Sequence, residues 1–487
     1  MRTLRLEFPL HPKQLRAFNT TATELLFGGA AGPGKSHFLR VALTTWCLAI
    51  PGLQCYLFRR TRPDLWKNHM EGPKGFLALL APVVNAGACK INLSEARIEF
   101  ANGSRIHLCH CEHEKDVYKY QGAEIHVLAI DELTHFTAAQ YTYLRGRVRM
   151  VGLTIPEKFA GNFPRVVCAS NPGGVGHNWV KATFVTSGPF YEIRRCSDEE
   201  GGLLRQFIPA RMEDNPSLLR DDPTYRARLK GLGSPELVRA LEEGDWDIVA
   251  GGALDDVWPI GDKRGRLIVA PFRIPGGWRL DRGFDWGSSK PNATLFFAES
   301  DGSEAVLADG TKRVWPKGTL LIAAERYGWN GKPNEGCREL ATEIARDVLA
   351  FPGQNEYLKG RQIHPGPADP AIYSVEDGRS IASQMEGVGC KWLEAPAGPG
   401  SRPAGLELLR ARLKATNEFP MVEPGLIIFE TCTHVIRTLP TLPRDPNKPD
   451  DVDTKAEDHL YDVARYKLLT KEKARGFAMP GLMMTGV

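Results

Sequence analysis

A glycine-rich run, Gly28-Gly29-Ala30-Ala31-Gly32-Pro33-Gly34-Lys35-Ser36, ends on a lysine and a hydroxyl residue. From Gly29 onward it satisfies the eight-residue P-loop pattern. Glycines such as Gly29, Gly32 and Gly34 let backbone N–H groups converge on phosphate oxygens, and a helix that follows adds positive potential at its N-terminus. Lys35 then reaches the β- and γ-phosphates, and the Ser36 hydroxyl ligates Mg²⁺. Further along, the apolar run Ile125–Ile130 ends in Asp131-Glu132. Asp131 is expected to hold Mg²⁺ through water, and Glu132 to orient and polarise the attacking water. The pair is a weak signal alone and a strong one behind a P-loop. The substrate expected is ATP with Mg²⁺. A polar stretch, Ser170-Asn171-Pro172-Gly173-Gly174, reads either as a sensor of the γ-phosphate or as an ordinary turn.

A second set of groups lies in the C-terminal half. Asp285 stands just before Trp286-Gly287, Asp369 before Pro370, and Asp458 and Asp462 in the segment EDHLYDVARY. Positions 458 and 462 fall one helical turn apart on one face, where two like charges cost a few tenths of a kcal/mol. A bound cation offsets that cost. Carboxylates gathered from separate elements can hold two divalent ions, Mg²⁺ or Mn²⁺, about 3.5–4 Å apart, for phosphodiester cleavage. Taken singly, each aspartate also reads as a cap, a turn former or the partner of a nearby arginine such as Arg465.

These residues need a frame. Thr23–Phe27 reads as a short buried strand, and HFLRVALTTWCLAI as a helix stopped by Pro51-Gly52, so the glycine run sits between strand and helix. QCYLFRR, Ile125–Ile130 and Pro164–Asn171 read as further strands, and Ile98–Leu108 as a hairpin about Asn102-Gly103. Arg205–Leu218 is read as leading into helices. After Gly251-Gly252 and the Pro/Gly-rich run near residues 271–277, the pattern changes to three successive strands, Trp278–Trp286, Ala293–Glu299 and Thr319–Tyr327, followed by alternating units. The expected organisation is an α/β chain with an ATPase domain over 1–250, a linker over 251–277, a second domain over 278–475 and a tail over 476–487. Cys109-His110-Cys111-Glu112-His113 resembles a zinc ligand run, but alternate strand residues face opposite sides and no second ligand pair lies near, so a plain hairpin strand is the better reading.

Length and composition set bounds. A chain of 487 residues is too long for one core. No apolar run approaches the roughly 18–20 residues that span a bilayer, and the N-terminus lacks a secretory pattern, so no membrane association is expected. Ten cysteines without framework spacing read as reduced thiols in a cytoplasmic protein. A net charge of +4 neither demands nor excludes nucleic acid.

In the order of GGAAGPGKS, LFRRT, VLAIDELTHF, ASNPGG, IPARMEDNPSL, RGFDWGSSKPNA, PADPAIY and KPDDVDTKAEDHLYDVARY, the chain resembles the large terminase subunits of tailed bacteriophages over nearly its full length. The resemblance implies an N-terminal P-loop NTPase domain of the ASCE/RecA-like kind that packages DNA, and a C-terminal RNase H-like nuclease domain. It assigns Lys35, Ser36, Asp131 and Glu132 to ATP hydrolysis and Ser170-Asn171-Pro172 to coupling. Asp285, Asp369 and Asp458 fall at the nuclease carboxylates, with Asp462 the rival for the third place. Gln14 in HPKQLRAF matches a glutamine that reads adenine. A charge-stabilising arginine is expected from Arg59 and Arg60 or from Arg145, Arg147 and Arg149, the other reading being DNA-phosphate contacts or surface ion pairs. The implied partners are double-stranded DNA, a small terminase subunit and the portal ring, with a homo-oligomer (a pentamer) on the portal and a monomer in isolation. The implied location is the cytoplasm of the infected host. Three other readings are a helicase-like or repair ATPase, a standalone resolvase-type nuclease, and a packaging motor whose C-terminal half only binds DNA.

Overall fold

The computed structural model describes residues 8–230, 238, 242–246, 252–259, 263–332, 334–376, 378–445 and 447–474. The chain divides into two compact units, Met1–Gly251 and Gly252–Val487. The tail expected over 476–487 lies outside the described residues. Among the described residues, no helix is long and apolar enough to cross a membrane.

The first unit is built on a nine-stranded sheet: β1 (Glu24–Gly29), β2 (Gln54–Arg59), β3 (Cys89–Asn92), β4 (Arg97–Phe100), β5 (Arg105–His110), β6 (Val127–Asp131), β7 (Arg165–Ser170), β8 (Arg194–Arg195) and β9 (Leu204–Ala210). Their order is β3-β4-β5-β2-β6-β7-β1-β9-β8. The inner strands β5 to β9 of this order are parallel, and antiparallel pairs close both edges. Parallel strands are covered on both faces, which is why β1, β6 and β7 are buried at every residue and read as continuous apolar runs. Successive side chains feed alternate cores. Leu25, Phe27, Val127, Ala129 and Val167 pack with Phe38, Leu39, Ala42 and Trp46 of the P-loop helix (Lys35–Ala49), whereas Leu26, Leu128, Ile130 and Val166 pack on the far side with Phe136, Tyr141 and Trp179. The hairpin about Asn102-Gly103 forms, with Ile98 opposite Ile106 and Gly103 at φ 84°. RQFIPA is strand β9, paired in parallel with β1, and it leads into the short helices Pro216–Asp221 and Tyr225–Lys230. Buried Arg205 and Gln206 mask its strand pattern by finding partners, Glu24 and Thr20.

The second unit has an eight-stranded sheet. Arg279–Asp285, Ala293–Glu299 and Leu320–Tyr327 form an antiparallel meander. Pro367–Ala368 and then Leu393–Glu394 run parallel on the first strand's outer side, and Leu426–Phe429 and Ile268–Val269 run parallel beyond the third. A meander extended by parallel strands is the RNase H-like order. The C-terminal helix, His459–Ala474, packs on the first two meander strands and on the helix Ser401–Asn417. The helix contact is close: a side chain at Gly405 would collide with Arg465. The segment expected to be a linker contributes Ala253, Leu254, Val257, Leu267, Val269, Phe272 and Ile274 to this unit's core. Its prolines and glycines shape turns between apolar anchors. All ten cysteines are free.

Candidate functional site

The P-loop turns from β1 into its helix through three residues with positive φ: Gly29 at 128°, Gly32 at 87° and Gly34 at 80°. A side chain at Gly34 would strike the Gln14 amide, so glycine is required there on two counts. Gln14 is buried and donates to the carbonyls of Pro33 (2.9 Å) and Gly34 (3.2 Å), while its own carbonyl accepts from His11 N (2.9 Å). In this state the residue expected to read adenine braces the P-loop. Asn215 adds a second brace by donating to Gly32 O at 2.6 Å.

Lys35 opens the helix and donates to Ala30 O (2.7 Å) and to Asn171 Oδ1 (2.5 Å). Ser36 Oγ donates to Asp131 Oδ2 at 3.0 Å. Asp131 ends β6, and Glu132 follows in a left-handed conformation (φ 56°) that turns the chain off the sheet edge. Asn171 N–H donates to Glu132 Oε2 at 3.4 Å. Asn171 therefore touches both the P-loop lysine and the carboxylate expected to polarise water. Ser170 is tied to Thr134 through the Thr134 N–H (3.1 Å) and hydroxyl (2.9 Å). The SNPGG stretch is thus a structured bridge between the Asp-Glu turn and the P-loop.

The charges are finely balanced. Burial pushes the Lys35 ammonium below its ordinary range, against the pull of Glu132 and Asp131. Burial raises the Asp131 carboxyl, but His69, Arg59 and Ser36 outweigh it and hold it ionised. Asp131 Oδ2 accepts from Ser36, from Arg59 Nε (3.1 Å) and from His69 Nε2 (2.9 Å). Its Oδ1 is buried with no hydrogen-bond partner among the described residues. The Asp131 carboxylate, with Oδ2 at 3.0 Å from the Ser36 hydroxyl and Oδ1 unpaired, has the donor chemistry for a water-coordinated Mg²⁺. Arg59 also lies 3.7 Å from Glu132. Of the other arginines, Arg60 donates to His135 O, Arg145 pairs with Glu24 at 3.0 Å, and Arg147 donates to Gln121 O. Arg59 is the candidate that stands at the Asp-Glu pair. His69 and Arg40 were not legible as site residues: Arg40 belongs to the apolar P-loop helix and His69 to the polar stretch Trp66–Met70, and packing alone brings them in.

In the second unit, Asp285 ends the first meander strand, and Ala368 pairs with Phe284 beside it, so Asp285 and Asp369 leave adjacent parallel strands together. The C-terminal helix starts one residue after Asp458, not before it, and Asp462 N–H donates to Asp458 O at 2.9 Å. Asp458 is therefore at the helix start and Asp462 in its first turn. His459 Nδ1 lies 3.1 Å from Asp285 Oδ2, and His459 Nε2 meets Asn334 Oδ1 at 2.9 Å. Burial, then Asp462 and Asp369, push the Asp285 carboxyl well above its usual range. Burial and Asp462 push Asp458 up to about 8. Burial also raises Asp369, with Asp462 again a contributor. Asp462 thus acts on all three of the others.

Among the described residues, no group of three or more His, Cys, Asp or Glu side chains is spaced to hold a metal ion directly. The ligand arrangement expected from spacing is therefore not closed in this state. The cation among these carboxylates is a guanidinium: Arg402 meets Asp451 (3.1 Å), Asp462 (3.3 Å) and Asp458 (3.4 Å), and Arg465 holds Asp462 at 2.9 Å. The donor set is of hard oxygens, the chemistry that suits Mg²⁺ or Mn²⁺.

Comparison with known proteins gives one family match. Residues 26–255, just under half the chain, match the family described as terminase large subunit, T4likevirus-type, N-terminal. No curated protein sequence matches the chain. Among solved structures, the chain is similar to the large terminase of a thermophilic bacteriophage in complex with ADP (14% identity, 94% of this chain and 98% of that chain, TM-score 0.39). It is also similar to the large terminase of bacteriophage HK97 (10% identity, 95% of each chain, TM-score 0.42). A third similarity is to the P22 large terminase nuclease domain (15% identity, 44% of this chain and 92% of that chain, TM-score 0.30). The family match supports the resemblance to a large terminase subunit.

Proposed function

We propose, from a chain whose residues 26–255 match a large-terminase family model, that this protein is the motor of phage DNA packaging. ATP hydrolysis in the first unit drives double-stranded DNA into the procapsid, and the second unit cuts concatemeric DNA to start and end packaging. The observation that carries the reading is the convergence of Lys35, Ser36, Asp131, Glu132 and Asn171 at one sheet edge.

In the first unit, Ser36 and Asp131 are the groups to hold Mg²⁺, which would neutralise charge on the β- and γ-phosphate oxygens. Lys35 exchanges its two protein acceptors, Ala30 O and Asn171 Oδ1, for phosphate oxygens when ATP enters the loop. Release of Asn171 is the first event this chain can report from the nucleotide. Because Asn171 N–H also touches Glu132, the same event adjusts the carboxylate that orients the attacking water. Arg59 is the proposed charge-stabilising arginine, since nucleotide can draw it from Asp131 and Glu132 toward the phosphates.

In the second unit, Asp285 and Asp369, with Asp462 and Asp458, are the groups to hold two divalent ions, which would activate water and stabilise the leaving oxygen. Asp462 is favoured over Asp458 as third carboxylate because it acts on both Asp285 and Asp369. DNA contacts are to phosphates, because a motor must pass any sequence. Site choice then falls to a small terminase subunit, docking to the portal, and assembly to a homo-oligomer there, in the host cytoplasm. The test of the motor reading is ATP hydrolysis by wild type and Lys35→Ala: loss in the variant supports it, and retained hydrolysis overturns it.

A further inference from the structure

We infer that His69 is a positioning residue for the ATPase, fixing the Asp131 carboxylate beside Ser36, where the nucleotide's Mg²⁺ would be held; the inference rests on the ATPase reading above. His69 is fully buried and lies in a wide helical turn, Trp66–Met70, closed by a bond from Glu71 N–H to Trp66 O. Wide turns of this kind re-aim side chains and recur at functional sites. Here the turn sends the imidazole Nε2 to within 2.9 Å of Asp131 Oδ2. The other ring nitrogen faces Arg40 Nη1 at 3.5 Å, and Arg40 is itself fixed by donating to Asn68 O at 2.8 Å. Arg40 belongs to the P-loop helix. A chain of contacts Arg40–His69–Asp131 therefore ties that helix to the carboxylate at the end of β6.

The three donors on Asp131 Oδ2 differ in permanence. Ser36 must turn its hydroxyl to the metal when Mg-ATP binds. Arg59 is shared with Glu132 and its side chain is 13% exposed, so it can leave. His69 is enclosed on every side, and it alone remains to fix the carboxylate. With an arginine N–H directed at Nδ1, the imidazole is the tautomer that accepts there and donates from Nε2. The charged groups facing it are Asp131, Arg40 and Arg59. Partners of this outer kind are typically worth about 10- to 100-fold in metal affinity or activity.

The full-length protein tests this through Mg²⁺-dependent binding of a fluorescent ATP analogue, with ATP hydrolysis read in parallel. His69→Leu removes the donor at similar volume. His69→Gln keeps an N–H at a comparable reach. His69→Asn keeps polarity but is too short, and replaces the Leu variant if that does not fold. The Leu and Asn variants should need about 10- to 100-fold more Mg²⁺ for half-maximal binding while binding the analogue in EDTA as wild type does. His69→Gln should recover most of the loss. Wild-type Mg²⁺ dependence in His69→Asn, or equal damage from Gln and Asn, overturns the inference while leaving the ATPase reading intact. Absence of Mg²⁺-dependent binding in wild type, or ATP hydrolysis that survives Lys35→Ala, overturns the ATPase reading itself.

Discussion

Arg402 Nη2 stands 3.4 Å from Asp458 Oδ2, in the middle of the carboxylates proposed to hold the nuclease ions. The same guanidinium keeps two bonds to Asp451. Its side chain is 25% exposed, whereas that of Arg465 is 5% exposed. Arg402 can therefore pivot on Asp451 toward solvent, while Arg465 stays wedged against Gly405. Replacing Arg402 by Gln removes the counter-cation from partly buried carboxylates. The metal-free protein should lose about 3 kcal/mol, the low end of the range for breaking a buried pair. Mn²⁺ should then stabilise the variant more than wild type. Denaturant melts in EDTA and in Mn²⁺ check both; equal midpoints for variant and wild type in EDTA count against the placement of Arg402.

A pH dependence follows from the same cluster. Asp458 is raised from 3.8 to about 8, first by burial and then by Asp462. Between those values the folded state holds a proton that the unfolded state has released. Stability must therefore fall as pH rises through that window. Melts in EDTA should show the fall, and Asp458→Asn should lessen it, leaving the part due to Asp285 and Asp369. A wild-type profile without that fall contradicts the burial and crowding of these carboxylates.

Lys35→Ala should lower ATP hydrolysis by at least about 100-fold, because the lysine supplies a direct charge to the transferring phosphoryl group. Metal-dependent DNA cutting should be largely unaffected. Steady-state hydrolysis and plasmid cutting on one preparation check the pair of statements.

Asn171→Ala should act on turnover more than on nucleotide binding. The variant loses the Lys35 acceptor but keeps the backbone N–H that meets Glu132. About a 10-fold fall in kcat with a smaller change in KM is expected, since P-loop contacts remain. A change confined to KM would place Asn171 in binding only.

The candidate nucleotide site stands out in the sequence because its groups are contiguous. Gly29 to Ser36 lie on one turn, and Asp131-Glu132 end a strand whose burial makes its sequence uniformly apolar. The strand that ends at Asp285 was legible from the three successive strand segments of this half, although it carries Arg279, Asp281 and Arg282. What the sequence hid arrives through packing across long separations. His69, Arg40 and Arg402 carry no spacing signal, and each meets its partners only when a turn or a helix docks. β9 was hidden because its polar residues Arg205 and Gln206 are buried with partners rather than exposed. The apolar anchors of 251–277 were masked by the Pro and Gly residues between them.

Plasmid cutting with Mn²⁺ by wild type, Lys35→Ala and Asp285→Ala in parallel tests the central claim, that one chain carries a nucleotide engine and a separate metal-dependent nuclease. Wild type and Lys35→Ala should cut, and Asp285→Ala should not. Equal cutting by Asp285→Ala and wild type contradicts the account, as does absence of cutting by all three.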